Sequence, residues 1–161
     1  MRRRALLGSL LGAFVLLSAA CGGGGNEPTT ADYEQAVVAA VDRTDFALNR
    51  VTRSKSPDEL VKRMGEASAT IDGAASDLDE LGAPAGFEQD NEKLVKALED
   101  LGNDVGLTGE QLEDPAFLDA FIGRSAQGFS FESWDRVNLA LGGLLGSGLR
   151  VKTLQRQAAQ Q

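Results

Sequence analysis

The feature that most constrains the fold is an apolar stripe in strict alternation of four and three residues: Leu60, Met64, Ala67, Ile71, Ala74, Leu78 and Leu81. That spacing places all seven on one side of an α-helix and gives the chain a long apolar surface to cover. The helix has a marked start, because Ser56-Pro57-Asp58-Glu59 supplies a cap, a proline at the first helical position and a glutamate that can close a capping box. Gly82 and Pro84 stop it.

Two further stripes flank it. Tyr33, Val37, Ala40, Val41, Thr44, Leu48 and Val51 predict a first helix over about Thr30 to Arg53, capped by Thr29 or Thr30, with Asp32 and Glu34 where the helix dipole favours negative charge. Phe87, Asn91, Leu94, Leu98, Leu101 and Val105 predict a third, expected to break at Gly102 and Gly106 near its end. The short link from Gly82 to Gly86 makes the second and third helices antiparallel neighbours. Asn91 falls on the apolar seam; a solvated position near the helix end is the expected reading, ahead of a buried polar group that fixes register.

The C-terminal third is less regular. Asp114-Pro115 opens a short helix with Phe117, Phe121 and Ile122, limited by Gly123 and Gly128, and Ser130 can cap a last one carrying Phe131, Trp134, Val137, Leu141, Leu144 and Leu145. Gly142, Gly143, Gly146 and Gly148 weaken its end by up to ~1 kcal/mol each. The repeat Gly142-x-x-x-Gly146 reads as close helix packing or a loose helix end, since the run around it is too short to span a membrane. Leu149 and Val151 are expected to dock as an extended piece, and 155–161 to fray. The whole reads as one all-α domain over 30–154, a bundle of four or five helices.

Five aromatic residues, Phe117, Phe121, Phe129, Phe131 and Trp134, crowd into this region. At helical spacing they are expected in the core, with Trp134 packed against the second and third helices and facing Leu78, Leu81, Leu94 and Leu98. The alternative is an apolar cleft between the helical hairpin and the C-terminal helices, a pocket for a lipid or peptide.

The N-terminus sets the address. Arg2, Arg3 and Arg4 precede an uncharged apolar run from Ala5 to Leu17, the charged-then-apolar order of an export signal. The run is shorter than the ~20 apolar residues of a membrane-spanning helix, so residues 1–20 are read as a cleaved signal peptide. It ends in Ser18-Ala19-Ala20-Cys21, which resembles the lipobox of bacterial lipoproteins, although Ser18 stands where that family prefers leucine. The resemblance implies a diacylglyceryl group on the sulfur of Cys21, cleavage after Ala20 and acylation of the new amino terminus. Cys21 is the only cysteine and so has no internal disulfide partner. Residues 22–29, Gly-Gly-Gly-Gly-Asn-Glu-Pro-Thr, carry no apolar side chain to bury and read as a flexible tether after the lipidated cysteine. The expected location is the extracytoplasmic face of the cell membrane, or an outer membrane where the cell has one.

Charge narrows the partners. Loss of Arg2, Arg3 and Arg4 with the signal leaves 13 of the 16 basic residues against 24 acidic ones, a net charge of −11. Such a chain does not seek nucleic acid and does not lie flat on anionic lipid. With no histidine and no second cysteine, soft-metal sites are excluded. The acidic stretch from Asp72 to Glu113 fails the calcium-loop spacing: counted from Asp100, the sixth residue is Val105 and the twelfth Gln111. Most of its carboxylates read as a solvated helix face, with Glu92 supporting Lys96 one turn on. No nucleophile elbow, phosphate loop or singled-out carboxylate pair is present, so no catalytic residue, metal or cofactor is expected.

Leu78-Asp-Glu-Leu-Gly-Ala-Pro-Ala-Gly-Phe87, followed by Asp90-Asn-Glu-Lys-Leu-Val-Lys-Ala-Leu98, is similar to a helical hairpin found in many small bacterial lipoproteins; the likeness covers roughly residues 56 to 106 and implies no activity. The expected function is a non-enzymatic envelope lipoprotein that binds or organises something outside the cell membrane. The competing expectation is a ligand-binding module with an aromatic-lined pocket. A deep apolar pocket at Phe121 and Trp134 favours the module, and a filled core with an exposed apolar patch favours a protein partner.

Overall fold

A computed structural model describes residues 27–125 and 131–149. The export signal, Cys21 and the tether as far as Asn26 lie outside the described residues, as do Phe129, Ser130, Val151 and the tail 155–161. The described chain is all-α: α1 (Thr30–Thr52), α2 (Pro57–Leu81), α3 (Glu88–Gln111), α4 (Pro115–Ser125) and α5 (Glu132–Gly146). No helix among the described residues is long and apolar enough to cross a membrane.

The helix starts follow local chemistry. Thr29 Oγ1 accepts the Asp32 N–H, and Ser56 Oγ accepts the Glu59 N–H, so α1 and α2 each satisfy one orphan donor through the expected cap. Glu59 closes its box one residue further back than the standard motif, accepting the Lys55 N–H at 2.7 Å. Asp114 Oδ1 accepts the Ala116 N–H ahead of α4. At α5 the cap position is held by Phe131, which offers no side-chain hydrogen bond. Gly82 ends α2 at φ +69°, a left-handed conformation open to glycine, and its N–H donates to the Leu78 carbonyl.

Packing follows the stripes. α2 lies against both α1 and α3, and α3 against α5, while α4 runs alongside none of the long helices. Tyr33, Met64, Ile71, Leu78, Leu94, Leu98, Leu101, Val105, Val137 and Leu144 are fully buried between them. Leu81, the last residue of the α2 stripe, is exposed, and Leu149 is buried just past α5.

Four expectations are corrected. The third helix does not break at its glycines but runs unbroken to Gln111, because a bare backbone there lets α2 approach. A Cβ on Gly102 would overlap the Asp72 carboxylate, one on Gly106 would lie 2.9 Å from Ser68 Oγ, and one on Gly109 would lie 2.9 Å from Met64 Cβ. Ser68 Oγ also donates to the Gly102 carbonyl at 2.8 Å, tying the two helices where they are closest. α4 likewise continues through Gly123. Asn91 is buried, not solvated: its side-chain oxygen accepts the Tyr33 hydroxyl at 2.9 Å, linking α3 to α1. The reason is geometric, since the buried Tyr33 side chain reaches from the start of α1 to that turn of α3. Lys96, expected to pair with Glu92, reaches forward to Asp100 at 3.6 Å. Gly142 and Gly146 meet no neighbouring helix, so their repeat is a loose helix end.

Candidate functional site

The two ends of the bundle differ in chemistry. At the end where α1 begins, Asp90 accepts from Lys93 Nζ at 2.8 Å and from Ser147 Oγ at 2.6 Å, and these hydrogen bonds hold its carboxyl below the usual range. Burial pushes the Tyr33 phenol well above its ordinary value, with the Asp90 charge adding to the shift. The Tyr33 ring also packs against Phe87, 6.1 Å between centroids. Tyr33 with Asn91, and Asp90 with Lys93 and Ser147, are bonded to one another, which suits a fastening.

At the opposite end the bundle opens. The 23 residues of α1 rise about 34 Å from Thr30 to the turn that joins it to α2. Because α4 does not run alongside a long helix there, the described residues leave open the space between the α1–α2 corner, α4 and the start of α5. It forms a cavity of about 650 Å³. Met64, Val51 and Phe121 are its buried wall; Leu48, Leu60, Phe131 and Trp134 are half-buried along its sides, and Ile122 stands exposed at the rim.

Of the residues singled out in the sequence, Phe121, Phe131 and Trp134 are brought together here, on α4 and the start of α5. Phe117 does not line the cavity. Its ring stacks on Phe121, 6.5 Å between centroids, with the Arg124 guanidinium 5.7 Å from its own centroid, so it supports the wall from behind. The expected placement of Trp134 against Leu78, Leu81, Leu94 and Leu98 is corrected. Arg136 reaches Asp100 and Asp104, and Ser147 reaches Asp90, so α5 runs antiparallel to α3 with its first turn beside the far half of α3. That register carries Trp134 away from the ends of α2 and α3 where Leu78 and Leu94 sit.

Sequence reasoning missed the α1–α2 corner, which supplies the polar part of the site. Thr52, Ser54, Lys55 and Ser56 all border the cavity. The corner is held tightly: Ser54 Oγ donates to the Val51 carbonyl at 2.7 Å, and Arg63 bridges the Arg50 carbonyl and Glu59. The only signal for it was the capping sequence at Ser56, whose contribution to a cavity depends on helices far along the chain.

A second hollow, about 710 Å³, lies between α3 and α5. Its charged groups neutralise one another, Lys93 with Asp90 and both Lys96 and Arg136 with Asp100. Its one large apolar side chain, Leu139, is 78% exposed. It is a solvated groove by composition. The other large exposed apolar residues, Phe46, Leu81, Leu107 and Ile122, fall one to a helix, as scattered surface residues do. Among the described residues no three carboxylates converge to hold a metal ion.

No known protein family, no curated protein and no solved structure matches the chain.

Proposed function

We propose that this protein is an extracytoplasmic lipoprotein, anchored through lipid on Cys21, whose helical bundle binds an apolar small molecule in the cleft lined by Phe121, Phe131 and Trp134. The cleft is the observation that carries the reading. Its volume lies inside the ~300–1,000 Å³ range of small-molecule sites, its walls are aliphatic and aromatic, and its polar residues are gathered on one side. The proposed role is binding: the described residues that line the cleft are mostly apolar.

The anchor and the cleft fit together. Cys21 and the tether lead into Thr30, at the opposite end of α1 from the cleft. A ligand is therefore taken from the space outside the membrane and held clear of the lipid surface. The competing reading, docking of an envelope protein on an exposed apolar patch, is weaker because the exposed apolar residues are dispersed over five helices.

The test is to extract the full chain from membranes, recover its bound small molecules in organic solvent and identify them by mass spectrometry. A defined apolar compound should accompany the wild type and be lost from Leu60→Trp, which fills the cleft from its side. Equal amounts with both proteins overturn the ligand reading. Intact mass and detergent partitioning of wild type and Cys21→Ser test the anchor: a wild-type protein without acyl mass contradicts it.

A further inference from the structure

We infer that the ligand is a single-chain anionic amphiphile of the fatty-acid class, its hydrocarbon inside the cleft and its carboxylate at Lys55. This rests on the ligand-binding reading above and specifies the chemistry at its polar side. Among the described residues that line the cavity, Lys55 is the only charged one.

The other polar groups on that side are largely spent within the protein. Thr52 and Ser54 donate their hydroxyls to the Asn49 and Val51 carbonyls, and the Lys55 N–H is held by Glu59. Two donors remain: the Lys55 ammonium, which forms no ion pair among the described residues, and the Ser56 hydroxyl proton, since Ser56 Oγ serves there only as acceptor for Glu59 N–H. Both stand at the exposed edge of the cavity, where water meets them until a ligand supplies an acceptor. A ligand with a carboxylate head satisfies them, whereas an amine or a purely hydrocarbon ligand does not.

The surrounding charge agrees. Arg50, Arg53, Lys55, Lys62 and Arg63 face only Asp58 and Glu59 within 50–63, a basic corner on a strongly acidic chain. Arg50 and Lys62 are paired with Glu66, and Arg63 with Glu59. Arg53 and Lys55 are left without an ion pair among the described residues, and of the two Lys55 borders the cavity, on a corner that hydrogen bonds hold in place. One ammonium balances one negative charge, which favours a carboxylate over a phosphate monoester, and one cavity of this size suits one chain.

Membranes carrying the full chain are labelled with a photoreactive laurate analogue and with its alcohol counterpart, and the labelled peptides are mapped. The acid should label peptides from the cavity walls at about tenfold lower concentration than the alcohol, the margin expected of one charge-assisted contact. Lys55→Ala should erase that margin, Lys55→Arg should restore most of it, and Lys62→Ala, which removes a cation paired outside the cavity, should keep it. Equal labelling by acid and alcohol in the wild type overturns the anionic assignment and leaves the cleft itself standing. Failure of both probes to label the cavity walls overturns the ligand-binding reading instead. Lauryl phosphate displacing the label at lower concentration than laurate overturns the choice of carboxylate.

Discussion

Replacing Gly109 by alanine tests the close approach of α3 to α2. On an open helix face, alanine is better than glycine by about 1 kcal/mol. At Gly109 the added Cβ would sit 2.9 Å from Met64 Cβ, and Met64 is fully buried. Met64 Cβ is fixed to its own backbone, so it cannot swing aside; the helices must part or twist. Overpacking of this kind costs about 1–3 kcal/mol, which cancels or outweighs the propensity gain and gives a net loss of roughly 0 to 2 kcal/mol. Gly65, on the facing helix beside Met64, is the internal control. A Cβ there meets nothing within 4 Å, so Gly65→Ala should stabilise by about 1 kcal/mol. The two substitutions therefore differ by about 1–3 kcal/mol, several degrees in Tm for a domain of this size. Thermal and urea unfolding of the fragment from Asn26 onward, followed by circular dichroism, measure both. Equal stabilisation by Gly109→Ala and Gly65→Ala would refute the close approach.

Other outcomes follow from single contacts. Tyr33→Phe should cost about 1–3 kcal/mol in the same assay, because it leaves the buried Asn91 oxygen without its donor. The wild type should also lose stability as pH rises above about 10: the phenol ionises in the unfolded chain near its ordinary pKa but is held protonated in the fold, so the unfolded state sheds its proton first. The Tyr33→Phe variant should show a flatter stability profile between pH 9 and 11, a range set by that ordinary phenol pKa of about 10. Ser133, fully buried with no hydrogen-bond partner for its hydroxyl among the described residues, should tolerate alanine with a gain of about 1 kcal/mol in urea unfolding; a loss of that size would mean the hydroxyl has a partner in solution.

How far the fold was legible depended on which interactions are local. The α2 stripe and the caps at Thr29, Ser56 and Asp114 were readable because their partners lie within one turn. The burial of Asn91 was not, since Tyr33 is 58 residues away and the period of a stripe does not say which helix will cover it. Gly102, Gly106 and Gly109 read as weak points in a lone helix; their use appears only when Met64, Ser68 and Asp72 of α2 lie against them. Trp134 was placed on the inward side of α5, but its neighbours depend on the register that Arg136 and Ser147 set on α3. Of the aromatic cluster, expected in the core, Phe121, Phe131 and Trp134 border the cleft. The cleft itself arises because α4 does not run alongside the long helices, which no spacing within α4 discloses.

The central claim, that the opening beside Trp134 admits an apolar ligand, is tested most directly by the protein's only tryptophan. With Trp134 excited, the neutral dye N-phenylnaphthylamine is titrated into the folded protein. Saturable energy transfer from Trp134 to one bound dye per chain, reversed by added laurate, is the expected result. Tryptophan emission unchanged by the dye at all concentrations would show the space beside Trp134 closed to ligands, contradicting the account.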